Sequence, residues 1–191
     1  MTVAGLLLAA GAGRRFGGPK ALVELDGELL VRRGVRLLRD GGCDPVLVVL
    51  GAAAGDVRPH VRDADVVVAH DWAEGMGASL RAGLAALADT AATACVVALV
   101  DQPLVQPGAV RALARTDGPA AVATYDGQPR NPVLLSREVW ADVAATASGD
   151  TGARGWLRAH PEQVTHVPCD GSAFDVDTPA DLSALHPRET A

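Results

Sequence analysis

The sequence has a single lysine. Lysine and arginine together number 17 in 191 residues, sixteen of them arginine, and the one lysine is Lys20. Aromatic residues are nearly as scarce, at 3%, so a core must be built from Ala, Val and Leu in packed layers of strands and helices. No apolar run approaches the roughly 20 residues that cross a bilayer, which excludes a membrane-spanning helix. The apolar start, Val3–Ala10, lacks a basic flank and runs into a glycine loop, so it does not read as a signal peptide. Three scattered cysteines, Cys43, Cys95 and Cys169, form no CxxC pair and cannot all pair with one another. They read as reduced thiols, and the expected location is the cytoplasm. Basic blocks are also missing and the net charge is −6, which argues against a nucleic-acid surface.

What the chain does have is alternation. Val3–Leu8, Pro45–Leu50, Asp65–Ala69 and Cys95–Val100 read as buried strands, and Glu28–Asp40, Gly55–Arg62 and Met76–Ala88 carry helical spacing. Further on, Pro107–Arg115, Arg137–Ser148, Thr151–His160 and Thr178–Leu185 read as helices, with strands at Ala120–Tyr125, Pro132–Leu135 and Val164–Pro168. Strand–helix alternation implies right-handed crossovers and a mostly parallel sheet covered on both faces. The expected fold is a single-domain, three-layer α/β/α sandwich over residues 1–191, with no linker or repeat. Ligands of such sheets sit outside the carboxyl ends of the strands.

Three features meet that rule. The first strand leads directly into Leu8-Ala9-Ala10-Gly11-Ala12-Gly13-Arg14-Arg15-Phe16-Gly17-Gly18-Pro19-Lys20. Glycines let backbone amides turn toward an anion, and Arg15 and Lys20 add charge suited to a triphosphate. It is no P-loop, because Pro19, Lys20 and Ala21 follow Gly18 where Lys and Ser/Thr are required. A dinucleotide fingerprint wants an acidic residue ending the second strand, where this chain has Leu50-Gly51. The second feature is Asp101, delivered by an apolar strand into Asp101-Gln102-Pro103. The third is Asp175-Val176-Asp177-Thr178-Pro179, with two carboxylates on one side of an extended segment. Thr178 and Asp181 also suit a helix start. No histidine or cysteine stands in a metal or nucleophile pattern.

Leu8–Leu22 resembles the N-terminal signature of MobA-like NTP transferases, with Arg15 and Lys20 on the motif arginine and lysine and Gly13 in place of the usual serine. Ala10 is similar to the molybdopterin cytidylyltransferase branch; the guanylyltransferase branch has glycine there. The resemblance implies a nucleotide-diphospho-sugar transferase-like, Rossmann-like fold, with an N-terminal half for nucleotide and a C-terminal half for acceptor. It implies nucleotide contacts from Leu8, Ala9, Ala10, Gly11, Gly13 and Lys20, and from Gly75 and Ser79 in Trp72–Leu80. It further implies Mg²⁺ held by Asp101 and Asp177, with Asp177 favoured over Asp175, and catalytic charge from Lys20, Arg15 and Asp101. Gly149–Arg154 resembles an acceptor segment, which points to Asp150 and Arg154. Arg130-Asn131-Pro132 stands where the family has Gly-His-Pro, placing Asn131 on the acceptor side and leaving the acceptor's identity open. The implied substrates are an NTP, with CTP favoured, and a small phosphorylated acceptor such as molybdopterin; the alternatives are a related nucleotidyltransferase using GTP or a sugar phosphate or phospholactate acceptor, and, further off, a non-catalytic nucleotide-binding protein. A molybdoenzyme or its maturation chaperone is the implied protein partner.

Overall fold

Val3–Ala9 forms β1, and all seven of its residues are buried. A strand with no polar face needs cover on both sides, and the rest of the chain supplies it. The computed structural model describes residues 2–185. After β1 come a small ribbon of β2 (Glu24–Leu25) and β3 (Glu28–Leu29), then α1 (Leu30–Asp40), β4 (Val46–Leu50), α2 (Ala54–Val57) and β5 (Asp65–Val68). Next are α3 (Met76–Ala88), β6 (Ala94–Leu99), α4 (Pro107–Ala114), β7 (Ala120–Tyr125) and β8 (Gln128–Ser136). The chain continues through α5 (Trp140–Thr146), α6 (Arg154–Ala159), β9 (Val164–Pro168) and α7 (Pro179–Leu185).

The seven-stranded sheet has the order β5-β4-β1-β6-β8-β7-β9. β1 is parallel to both β4 and β6, and β8 is antiparallel to both its neighbours. The mostly parallel α/β architecture is therefore as the sequence implies, with β8 as the exception. Asp126 (φ 50°) and Gly127 (φ 75°) explain it. Two successive left-handed residues make the tight turn that closes a hairpin, so β8 must run back along β7.

Helices approach β1 from opposite faces. A Cβ on Gly34 of α1 would lie 2.7 Å from the Leu7 methyls, and one on Gly83 of α3 would lie 2.6 Å from a Leu6 methyl. Leu6 and Leu7 point to opposite faces, so each glycine lets one helix settle onto the sheet. Val31, Val35, Leu38, Val110 and Leu113 of α1 and α4 fill one core; Leu80, Leu84, Val143 and Trp156 of α3, α5 and α6 fill the other.

Several element bounds differ from expectation. The helix expected from Glu28 begins at Leu30, because Glu28 and Leu29 pair with β2. Gly55–Arg62 splits into α2 and a 3-10 turn at Arg58–His60, where Pro59 cannot continue the α-helical hydrogen bonding. The strand expected at Pro132–Leu135 extends over Gln128–Ser136, its first residues too polar to read as buried strand. Arg137–Ser148 and Thr151–His160 shorten to α5 and α6, each preceded by a 3-10 turn. No helix among the described residues is long and apolar enough to cross a membrane.

Candidate active site

The glycine loop is curled round one carbonyl. The amides of Phe16, Gly17 and Gly18 all donate to the Gly13 oxygen, at 2.9, 2.9 and 3.2 Å. Gly13 has φ +59°, and a Cβ there would fall 1.8 Å from the Gly18 oxygen, so no other residue fits. The absent motif serine is thus replaced by a residue on which this loop depends. The amides of residues 11 to 15 find no acceptor among the described residues. Pro19, in extended conformation, ends the loop and starts the 3-10 turn Lys20–Leu22.

Lys20 then joins the two aspartates. Its Nζ donates to Asp101 Oδ2 at 2.8 Å and to Asp177 Oδ1 at 2.5 Å, and Arg15 Nη2 donates to Asp177 Oδ2 at 2.9 Å. Asp101 lies just beyond β6. Asp177 arrives on a strap that crosses the end of that strand: Gly171 bridges to Val105, and the Val176 amide donates to the Asp101 carbonyl at 2.8 Å. Val176 is fully buried. Gln102, buried at 5% exposure, pins the strap, its Nε2 donating to the Ala173 carbonyl at 3.3 Å and to Asp175 Oδ1 at 2.9 Å. Beyond Asp177, the Thr178 amide and hydroxyl donate to Asp181 Oδ2 at 2.7 and 2.8 Å, and the Asp181 amide returns a bond to the Thr178 hydroxyl. This capping box fixes the start of α7.

The neighbouring carboxylates have separate partners. Asp177 belongs to Lys20 and Arg15, and Asp175 belongs to Gln102. Burial works against the Lys20 ammonium, but its bonds to Asp101 and Asp177 outweigh that and hold its pKa above the ordinary lysine value. Asp177 titrates below the usual carboxylate range, chiefly because Lys20 donates to it. Asp175 is pushed upward by loss of hydration, only partly offset by Gln102, with Asp101 and Asp177 adding repulsion. No group of three or more His, Cys, Asp or Glu side chains among the described residues could hold a metal by itself. Two oxygen donors converging on one point, beside unpaired loop amides, nonetheless suit a hard cation that completes its shell with phosphates and water.

The nucleotide-side residues pack more tightly than expected. Ala10 is 5% exposed, and its methyl faces Gly51, where a Cβ would come within 2.8 Å of it. Gly75 (φ +111°) presses on Gly149 and Asp150, since a Cβ there would meet Gly149 at 2.5 Å and Asp150 Oδ1 at 2.8 Å, and Gly77 lies as close to Ala147 and Ser148. Asp150 caps no helix; it sits in the 3-10 turn Gly149–Thr151. Arg81 ties the same region together, donating to Ala147, Asp71 and Glu74. Ser79 is buried in α3, without a hydrogen bond from its hydroxyl among the described residues.

Beside the lysine–carboxylate cluster lies a cavity of about 740 Å³. Of the expected site residues, Leu8, Asn131 and Arg154 line it; Ala9, Ala10, Gly11, Gly13, Arg15, Lys20, Gly75, Ser79, Asp101, Asp150 and Asp177 do not. Gln102 and Asp175 mark where cluster and cavity meet. Sequence reasoning passed over Gln102, although a polar residue directly after Asp101 at a buried strand end was the available signal. It also passed over Arg158 and His166 on the cavity wall, which stand in no motif, and it gave no role to Arg130, which stands where the family has glycine.

Residues 5–164 match the MobA-like NTP transferase domain. Nicotine blue oxidoreductase of Paenarthrobacter nicotinovorans is 41% identical over 190 residues, covering 92% of each chain. A probable molybdenum cofactor guanylyltransferase of Opitutus terrae is 36% identical over 128 residues, covering 65% of this chain and 62% of its own. Among solved structures, Rv0371c of Mycobacterium tuberculosis superposes with a TM-score of 0.87 at 32% identity over 97% of both chains. A second structure of Rv0371c is a complex with manganese and superposes with a TM-score of 0.82 at 30% identity, covering 97% of this chain and 98% of its own. On this match and on the strand order and loop described above, the chain belongs to the MobA-like NTP transferase family of nucleotidyltransferases.

Proposed function

We propose that the protein transfers a nucleoside monophosphate from an NTP to a phosphorylated acceptor of the molybdopterin kind, releasing pyrophosphate. The observation that carries this reading is Lys20 joining Asp101 to Asp177 beside the glycine loop, at the carboxyl ends of β1 and β6. An acceptor phosphate oxygen attacks the α-phosphorus; the new P–O bond forms as the bond to the β-phosphate oxygen breaks, and pyrophosphate leaves. The attacking oxygen is already ionised at neutral pH, so no dedicated general base is needed. Catalysis is then positioning and charge neutralisation. Asp101 and Asp177 would hold Mg²⁺ or Mn²⁺, which when bound supplies charge neutralisation at the phosphates. The unpaired amides of residues 11 to 15, with Lys20 and Arg15, receive the triphosphate, and the cavity lined by Asn131 and Arg154 receives the acceptor.

Ala10 supports CTP as the nucleotide by its likeness to the cytidylyl branch, while the relatives named guanylyltransferases support GTP. Because the Ala10 methyl packs toward Gly51, its influence on the base would run through the position of the loop. Competition between CTP and GTP, with molybdopterin as acceptor and pyrophosphate as readout, decides the base. Acceptor-dependent pyrophosphate release is the test of the reaction itself.

A second reading rests on the 41% identity with a protein named for the oxidation or reduction of nicotine blue. There the cavity would hold nicotine blue, although the chain lacks the acidic residue that a dinucleotide fingerprint places at the end of the second strand. Oxidation of a reduced nicotinamide dinucleotide with nicotine blue, together with no pyrophosphate from any NTP, would establish that reading and remove the first.

A further inference from the structure

The cavity is long rather than round. Its wall takes Leu8 from β1, Leu99 from β6, Val133 from β8, Val122 from β7 and His166 from β9, so between β6 and β9 alone it crosses three strand gaps, a span of about 14 Å at ~4.8 Å each. At the β6 end stand Gln102 and Asp175, next to the lysine–carboxylate cluster. Gln102 is nearly fully buried, and its Oε1 has no hydrogen-bond partner among the described residues. Between the ends the wall carries the aliphatic Val133 and Val122 together with Gln128, Arg130 and Asn131 of β8. At the β9 end stand Arg158 and His166, with Arg154 one helical turn before Arg158 on the same face of α6.

The arginines there are unlike most others in the chain. Arg15, Arg33, Arg36 and Arg81 each pair with a carboxylate, and Arg32, Arg39, Arg111 and Arg137 bond to backbone carbonyls. Arg154 and Arg158 have neither kind of partner among the described residues, and the only acid on the cavity wall is Asp175, at the opposite end. In a protein of net charge −6, a cationic end remote from the cavity's one carboxylate, with Val122 and Val133 between, is a place for an oxyanion at the far end of the acceptor.

We propose that the β9 end of the cavity is a specificity subsite for a second anionic group of the acceptor, a carboxylate or phosphate about 14 Å from the phosphate that reacts, gripped by Arg158 with His166 beside it. This rests on the cavity being the acceptor site of a nucleotidyltransferase. The preferred acceptors are then two-ended, with the reacting phosphate at one end and the second oxyanion at the other. Arginine suits the outer end because its planar fork takes a carboxylate or phosphate through two parallel hydrogen bonds.

The test uses two probes on the purified full chain, biphenyl-4-yl phosphate and its 4′-carboxylate derivative, with binding followed by calorimetry. The expected result is that the carboxylate tightens binding to the wild type by about tenfold, the worth of one charge-assisted pair. Arg158→Ala should abolish that gain while binding the plain phosphate probe as the wild type does, and Arg158→Lys should keep part of it. No gain in the wild type, or an equal loss of both probes in Arg158→Ala, overturns the subsite. Pyrophosphate release is measured separately. An intact Arg158-dependent gain without nucleotidyl transfer keeps the subsite and removes the reaction; transfer without the gain does the reverse.

Discussion

The Lys20 ammonium lies 2.5 Å from Asp177 Oδ1 and, through the same nitrogen, 2.8 Å from Asp101 Oδ2. The only lysine in the chain therefore holds together two carboxylates that are 76 positions apart in sequence. Lys20→Ala should lower kcat by ~10²–10³, the usual cost of one preorganised charge, and should weaken NTP binding without changing the circular dichroism. Lys20→Arg should not restore activity, because a planar fork cannot place one donor between two carboxylates in a tight loop. Wild-type kinetics in the alanine variant would remove Lys20 from the site.

The Gln102 side chain hydrogen-bonds to neither Lys20 nor Asp177, yet it fastens the strap that carries Asp177, through Ala173 and Asp175. Residues that orient ligands from behind typically cost about 10–100-fold in metal affinity when lost. Gln102→Ala should therefore weaken Mn²⁺ binding by that order with the fold retained. Gln102→Glu should weaken it more at pH 8 than at pH 5, since two facing carboxylates repel unless they share a proton. Unchanged Mn²⁺ affinity in both variants would show that the strap holds its place without Gln102.

The cysteines give a prediction about the cores. Burial pushes the Cys43 thiol up to about 12 and raises Cys95 as well, so neither supplies thiolate near neutral pH. Cys169 is only partly buried. Under native conditions at pH 8, a thiol reagent such as Ellman's should modify Cys169 first, and Cys43 and Cys95 only after unfolding. Equal early reactivity of all three would mean that the two cores open readily.

The parts of this fold that were legible in the sequence are those where burial is uniform. Val3–Leu8, Pro45–Leu50 and Cys95–Val100 are apolar on both faces, and each became a strand of the parallel half. The place of Asp101 was legible for a related reason, since an apolar strand can deliver a carboxylate only at its end; that Asp177 would meet it was implied by the family resemblance rather than by spacing. Direction was harder to read, because a period of two carries none; the sign that β8 runs backward lay in the Asp126-Gly127 turn. The ribbon of Glu24–Leu25 and Glu28–Leu29 was hidden because Glu28 also begins a helical pattern, although Asp26-Gly27 (φ 52° and 76°) is the same kind of turn. The role of Lys20 was only half legible. Its charge suggested phosphate, but nothing in spacing showed that it would sit between the aspartates. Arg158 and His166 left no trace, since isolated polar residues on short elements look like any solvated surface.

That placement of Lys20 changes what a metal must do. Two carboxylates meeting at a strand end should repel and destabilise the metal-free protein, but here the ammonium already separates them. A divalent cation must then compete with Lys20 for Asp101 and Asp177. Lys20→Met should consequently lower activity and yet raise Mn²⁺ affinity in the absence of NTP, with a larger thermal shift than in the wild type. Asp101→Asn and Asp177→Asn should each lose most of the shift, and Asp175→Asn should keep it, because Asp175 is engaged by Gln102. The pH dependence has a definite sign. Asp177 titrates below its unfolded value because of Lys20, so its contribution to stability is present above the ordinary carboxylate pKa and is lost as pH falls through its lowered one. The raised pKa of Lys20 adds stability that is fully present below pH 10 and is lost only as pH rises above its ordinary value of 10.5. Metal-free Lys20→Met should therefore be less stable than wild type at pH 7, with the gap closing on acidification as pH falls through the lowered pKa of Asp177. A thermal-shift series in Mn²⁺ and pH across these variants measures all of this at once. An undiminished Mn²⁺ shift in Asp101→Asn, or a smaller one in Lys20→Met than in wild type, would place the metal elsewhere.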